Sequence, residues 1–114
     1  MQIKCYCNLY TSDGLKKRKN KILKALMERK PLSGISVIIL AQGRQNHLEF
    51  FSALFLQQHF YDEKELFIVG IAEGKESAVA LVGGIVQEVL DRTGGTDLRK
   101  YILENQKKFE ESRA

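Results

Sequence analysis

His47-Leu48-Glu49-Phe50-Phe51-Ser52-Ala53-Leu54-Phe55-Leu56-Gln57-Gln58-His59-Phe60 is the stretch whose reading decides the fold, because two periodicities compete within it. Taken at helical spacing from an N-cap at Asn46, residues 47–59 form a helix with a very apolar surface. Strands then alternate with helices along the whole chain. Taken as extended from Leu48 to Leu56, the same residues add a strand to the sheet and remove its parallel order. The helical reading sets the expectation.

Toward the C-terminus, Leu66-Phe67-Ile68-Val69-Gly70-Ile71-Ala72 is an apolar strand that stops at Glu73-Gly74. A helix opens near Glu76, with Ala78, Val79, Val82, Ile85, Val86, Val89 and Leu90 forming a stripe of helical period. Arg92-Thr93-Gly94-Gly95 closes it. Thr96-Asp97 starts a last helix carrying Leu98, Tyr101, Ile102 and Phe109, expected to fray beyond Lys107. Toward the N-terminus, Ile35-Ser36-Val37-Ile38-Ile39-Leu40-Ala41 is a β-branched run of the kind buried on both faces of a sheet. Pro31-Leu32-Ser33-Gly34 separates it from a helix over Gly14–Arg29, capped from Thr11-Ser12-Asp13-Gly14. Ile3, Cys5, Cys7 and Leu9 alternate with polar residues and tyrosines, the period of an edge strand.

These elements predict one α/β domain over residues 1–114: a β-α-β-α-β-α sandwich of two or three layers, with a mostly parallel three-stranded sheet and an extra C-terminal helix. The layering is Rossmann-like in miniature. So small a sheet leaves an edge to be covered or paired, which points to a homodimer.

Length and composition narrow the classes. At 114 residues, 44% hydrophobic and 28% charged, the chain fits a single folded domain and neither a disordered nor a disulfide-scaffold protein. Ala78 to Val86, the longest nearly apolar run, is nine residues, well short of the roughly 20 that span a membrane. The first residues lack the pattern of a secretory signal, and Cys5 and Cys7 read as reduced thiols, so a cytoplasmic location is expected. The net charge of +4 conceals an asymmetry: residues 1–34 carry nine Lys/Arg against Asp13 and Glu28. A basic front of this kind meets an acidic partner or keeps the protein in solution.

With three parallel strands, the loops at their C-terminal ends would share one edge, where open α/β sheets hold ligands. That edge would gather Asp13, Arg44, Asn46, His47, Gly74 and Lys75 as an anion or ligand site. Val69 to Ser77 superficially follows the strand-loop-helix plan of a phosphate-binding loop. Only three residues separate Gly70 from Gly74 where that motif has four, and Glu76 stands where it needs Ser or Thr. What remains is the start of a helix with free amides, with Lys75 as the charged contact for an anion. Cys5, Cys7, His47 and His59 make the ligand count of a zinc site at spacings unlike any compact zinc motif, so neither a metal nor a cofactor is expected. No nucleophile accompanies His47 at a spacing that would mark a base, and the question of catalysis stays open.

Lys16, Lys17, Lys21 and Lys24 could meet nucleic-acid phosphates from one helix; their default role is a solvated face opposite Leu15, Ile22 and Leu26. Phe50, Phe51, Phe55, Phe60 and Tyr61 are five of ten aromatic residues within twelve positions, more than one helix face buries. Part of segment 50–61 is therefore expected at a homo-oligomer interface. Gly84, off the main apolar stripe of its helix, suggests close approach by the last helix or by another subunit. The leading functional expectation is a noncatalytic protein-interaction or small-ligand-binding module acting as a homodimer. The alternatives are a nucleic-acid accessory protein binding through residues 16–24, and a small enzyme with its site at the C-terminal edge of the sheet.

Overall fold

The computed structural model describes residues 2–41, 46–57 and 65–113. Strand β1 (Gln2–Thr11) leads through a 3-10 helix (Asp13–Arg18) into helix α1 (Lys19–Met27). Strands β2 (Ile35–Leu40) and β3 (Leu48–Ser52) follow, then a second 3-10 helix (Ala53–Gln57) and strand β4 (Glu65–Glu73). Helices α2 (Gly74–Thr93) and α3 (Leu98–Ser112) complete the order. The last helix runs beyond Lys107, where the sequence suggests fraying.

The sheet is four-stranded and mixed, in the order β1-β4-β2-β3. β1 pairs parallel with β4, while β2 is antiparallel to both β4 and β3. This corrects the three-stranded, mostly parallel, Rossmann-like expectation. The cause lies in residues 48–52: a strand sends alternate side chains to opposite faces, so Phe50 joins one core while Phe51 packs against the other. A helix has only one buried face and would leave one of them in water. Residues 53–57 do turn helical, but in the 3-10 form, with Ala53 and Leu56 buried and Leu54 and Phe55 exposed.

Two cores lie on opposite faces of the sheet. Leu15, Ile22 and Leu26 pack on one face against Val37, Ile39, Leu66, Ile68 and Ile71, with Ala53 and Leu56 beside them. On the other, Ile102 meets Tyr6, Ile38, Leu40 and Val69, and Leu81, Val82 and Tyr101 pack around them. Every residue of β2 is buried, as its continuous apolar run predicts. Of the apolar stripe expected on α2, Ala78, Ile85 and Val89 are fully covered, whereas Val79 and Leu90 lie exposed on its flank. Gly94 ends α2 in the left-handed conformation at φ 73°, and its N–H donates to the Leu90 carbonyl at 2.8 Å.

β1 is an edge strand, but an irregular one. Between the pairs Cys5–Ile68 and Tyr10–Gly70, four residues of β1 run past a single residue of β4. The excess frees main-chain groups from the ladder, and α3 takes one of them: Cys7 N–H donates to Gln106 Oε1 at 2.8 Å. Gln106 is accordingly buried. Gly70 sits where the strands crowd, since a Cβ there would lie 3.2 Å from the Tyr10 carbonyl oxygen, 3.3 Å from Leu81 and 3.4 Å from Ile38. Only glycine lets β4 pass that point undisturbed.

Candidate functional site

The irregularity in β1 and the two helices packed beside it enclose a polar cleft of about 490 Å³, lined by Asn8, Tyr10, Glu88, Arg92, Tyr101 and Asn105. Glu88 and Arg92 stand one helical turn apart on α2, and Tyr101 and Asn105 one turn apart on α3. The two turns face each other across the last residues of β1. Tyr101 OH donates to Glu88 Oε2 at 3.0 Å, and Tyr10 OH donates to the same oxygen. Below them, Asn105 Nδ2 donates to Tyr6 OH at 3.0 Å, and Tyr6 stacks obliquely on Tyr10 with ring centroids 5.9 Å apart.

Burial pushes the Tyr10 phenol far above the ordinary tyrosine range, and its bond to Glu88 raises it further. Tyr101 shifts the same way, from desolvation first and the Glu88 carboxylate second. Tyr6 is raised chiefly by burial, against hydrogen bonds from Asn105 and Asn8 that lower it. All three phenols are therefore O–H groups near neutral pH, suited to holding a carboxylate in place and unsuited to removing a proton. The cleft combines a carboxylate oriented by two donors, a guanidinium, two carboxamides and aromatic edges. Such a set recognises a small polar molecule by hydrogen bonds and charge.

The residues singled out at the sheet edge do not converge. Because β2 runs against β4, the loop containing Asn46 and His47 lies at the end of the sheet opposite Asp13, Gly74 and Lys75. Arg44 lies outside the described residues. Asn46 fixes the start of α3, where its Oδ1 accepts from Arg99 N at 2.9 Å and its Nδ2 donates to the Thr96 carbonyl at 3.0 Å. His47 is exposed, with Nε2 3.3 Å from Glu49 Oε1.

At the other end, Asp13 pairs with Lys16 at 2.9 Å beside a cleft of about 500 Å³ that Thr11, Ser12, Gly14, Glu73, Ser77, Ala80 and Leu81 also line. The Ser12 hydroxyl accepts from Glu73 N at 3.1 Å and does not cap the helix that follows it, contrary to the expectation from sequence. Gly74 and Lys75 border a separate cleft of about 360 Å³ with Gly34, Ile35, Ser36 and residues 50–52. Gly74 N–H already donates to the Gly34 carbonyl at 3.0 Å, so one amide at the start of α2 is taken.

Cys5 and Cys7 are free thiols, and burial raises the Cys5 thiol above its usual range. His59, Phe60 and Tyr61 lie outside the described residues. Among the described residues no cluster of three His, Cys, Asp or Glu side chains is placed to hold a metal ion. No described helix is long and apolar enough to cross a membrane. Lys16 and Lys17 lie on the 3-10 helix and Lys21 and Lys24 on α1, all four exposed.

Sequence reasoning overlooked the Tyr10, Glu88, Arg92 and Tyr101 group. Its signal was the pair of polar i, i+4 steps, Glu88–Arg92 and Tyr101–Asn105, each flanking the apolar stripe of its own helix. Compared with protein-family models, curated proteins and solved structures, the chain finds no match.

Proposed function

We propose that the chain is a noncatalytic small-ligand-binding module whose site is the cleft between β1, α2 and α3. The carrying observation is that two tyrosine hydroxyls from different elements converge on one carboxylate, Glu88, in a cleft that Arg92 also lines. The volume of about 490 Å³ suits a ligand of modest size. A carboxylate with a guanidinium one helical turn away favours a small zwitterion, its ammonium toward Glu88 and its acidic group toward Arg92. Protonated phenols support binding over proton-transfer chemistry. Calorimetric titration with a panel of free amino acids and related zwitterions tests the reading. At least one should bind and raise the melting temperature, with affinity lost in Glu88→Gln and reduced in Arg92→Ala. A flat response across the panel, in protein shown to be folded, sinks the reading.

A second reading, nucleic-acid binding, is favoured by one feature of the opposite face. Residues 13–30 carry eight basic against two acidic side chains, and Lys17, Lys21 and Lys24 are exposed on it. Contacts of this kind give affinity that falls steeply with salt. Binding to a labelled single strand that is unchanged when Lys17, Lys21 and Lys24 become Glu would remove this reading.

A further inference from the structure

We infer that two copies of the chain associate through the outer edge of β3, with Phe50 facing the partner's Phe50 across a two-fold axis, so that two sheets join into one. This inference is independent of the ligand cleft. It begins with the phase of hydrogen bonding in the hairpin. Ala41 N–H donates to the His47 carbonyl at 3.0 Å, one step beyond the Leu40–Leu48 pair. Bonded and non-bonded pairs alternate along an antiparallel ladder. Glu49 and Phe51 therefore turn their main-chain groups toward β2, and Leu48, Phe50 and Ser52 turn theirs outward. β3 is the last strand of the sheet, so among the described residues these groups meet no further strand.

The outward set is self-complementary. With Phe50 on a two-fold axis, Leu48 faces the partner's Ser52 and Ser52 the partner's Leu48, in the bonded phase throughout. An isologous interface requires this kind of match. The opposite edge of the sheet offers nothing comparable: β1 departs from a regular ladder, Gln106 takes Cys7 N–H, and Lys4 pairs with Glu110 at 2.6 Å. Those devices protect an edge; on β3 the described residues supply only the exposed Glu49, whose main-chain groups turn toward β2.

Apolar side chains stand exposed on the side of β3. Leu54 and Phe55, 46% and 45% exposed, follow it directly. Ser77, Leu81, Glu88 and Arg92 mark the flank of α2 that lines the two clefts beside β1. The opposite flank, turned toward β3, carries Val79, Gly83, Val86 and Leu90 at helical spacing, with Val79 53% and Leu90 42% exposed. No described atom lies within 4 Å of a Cβ built at Gly83, so a neighbouring helix has room to approach. The two-fold axis sets the α2 helices of the two copies antiparallel, the orientation in which their dipoles attract. Strand pairing and helix contact are thus served by one symmetry operation.

Sedimentation equilibrium of the full chain combined with amide hydrogen exchange tests the arrangement. The expected result is a mass twice 13.0 kDa, with the amides of Leu48, Phe50 and Ser52 protected to the same degree as those of Glu49 and Phe51. Val79→Lys combined with Leu90→Lys, both at exposed positions, should weaken association at least tenfold while circular dichroism stays that of the parent. Phe50→Pro, which removes an outward N–H and leaves the bonds to β2, should weaken association beyond Phe50→Ala, the control for the ring lost from the core. A monomer at the highest soluble concentration overturns the inference. So does a dimer whose Leu48, Phe50 and Ser52 amides exchange freely, because that dimer uses another face.

Discussion

Gln106 is a residue whose importance no pattern announces. It reads as one polar position on a helix rich in polar positions, yet it is buried because the irregular β1 leaves Cys7 N–H in need of an acceptor. Gln106→Leu should destabilise the fold by about 1–3 kcal/mol, the cost of a buried donor left unsatisfied, measured by urea denaturation. Gln106 also donates to Glu110 Oε1 at 3.3 Å, and Lys4 closes the chain of contacts. The Lys4 ammonium, followed by the Gln106 amide, holds the Glu110 carboxyl below its ordinary value. A depressed folded-state pKa contributes stability above the unfolded value of about 4.3, and that contribution disappears as pH falls through the folded value. Lys4→Met should therefore flatten this part of the acid limb of the stability profile. Thermal melts at a series of acidic pH values, with the same limb in both proteins as the contrary outcome, decide the point.

Among the elements, β2 and β4 are legible in the sequence as nearly continuous apolar runs, and α2 as a long stretch of helical period whose centre line, Ala78, Ile85 and Val89, is buried. The segment after Asn46 is not, because apolar density says how much must be buried and not on how many faces. Asn46 shows the same limit. Its side chain does cap a helix, as an Asn before an apolar run suggests, but the helix is α3 and the bonded amide is that of Arg99. It reinforces Asp97, which accepts from Lys100 N at 3.0 Å. On α2, the sequence suggests close approach at Gly84, yet a Cβ there meets no described atom within 4 Å. Among the described residues nothing offsets its cost to the helix. Gly84→Ala should raise the unfolding free energy by about 1 kcal/mol, read from the denaturation midpoint. A loss of stability instead would mean that the position is covered in solution.

For the whole molecule, the mixed sheet sets three surfaces apart. The polar cleft lies beside β1, the basic helix covers one face, and exposed Leu54, Phe55, Val79 and Leu90 lie on the side of β3. Composition reveals the basic face at once, since local charge survives any folding. The cleft is hidden from it because its parts come from β1, α2 and α3, and only the packing of both helices on one face unites them. The same topology bears on how the chain is made. β1 is the first described strand to leave the ribosome, but its strand partner is β4, so Gln2 must wait for Glu65 and Thr11 for Ile71. The β2–β3 hairpin, with its local pairings, can close within microseconds of emerging, whereas contacts so far apart along the chain form slowly. The strand that forms one wall of the cleft is therefore seated only once β4 has been made, and the cleft is complete only when synthesis has passed both helices behind it.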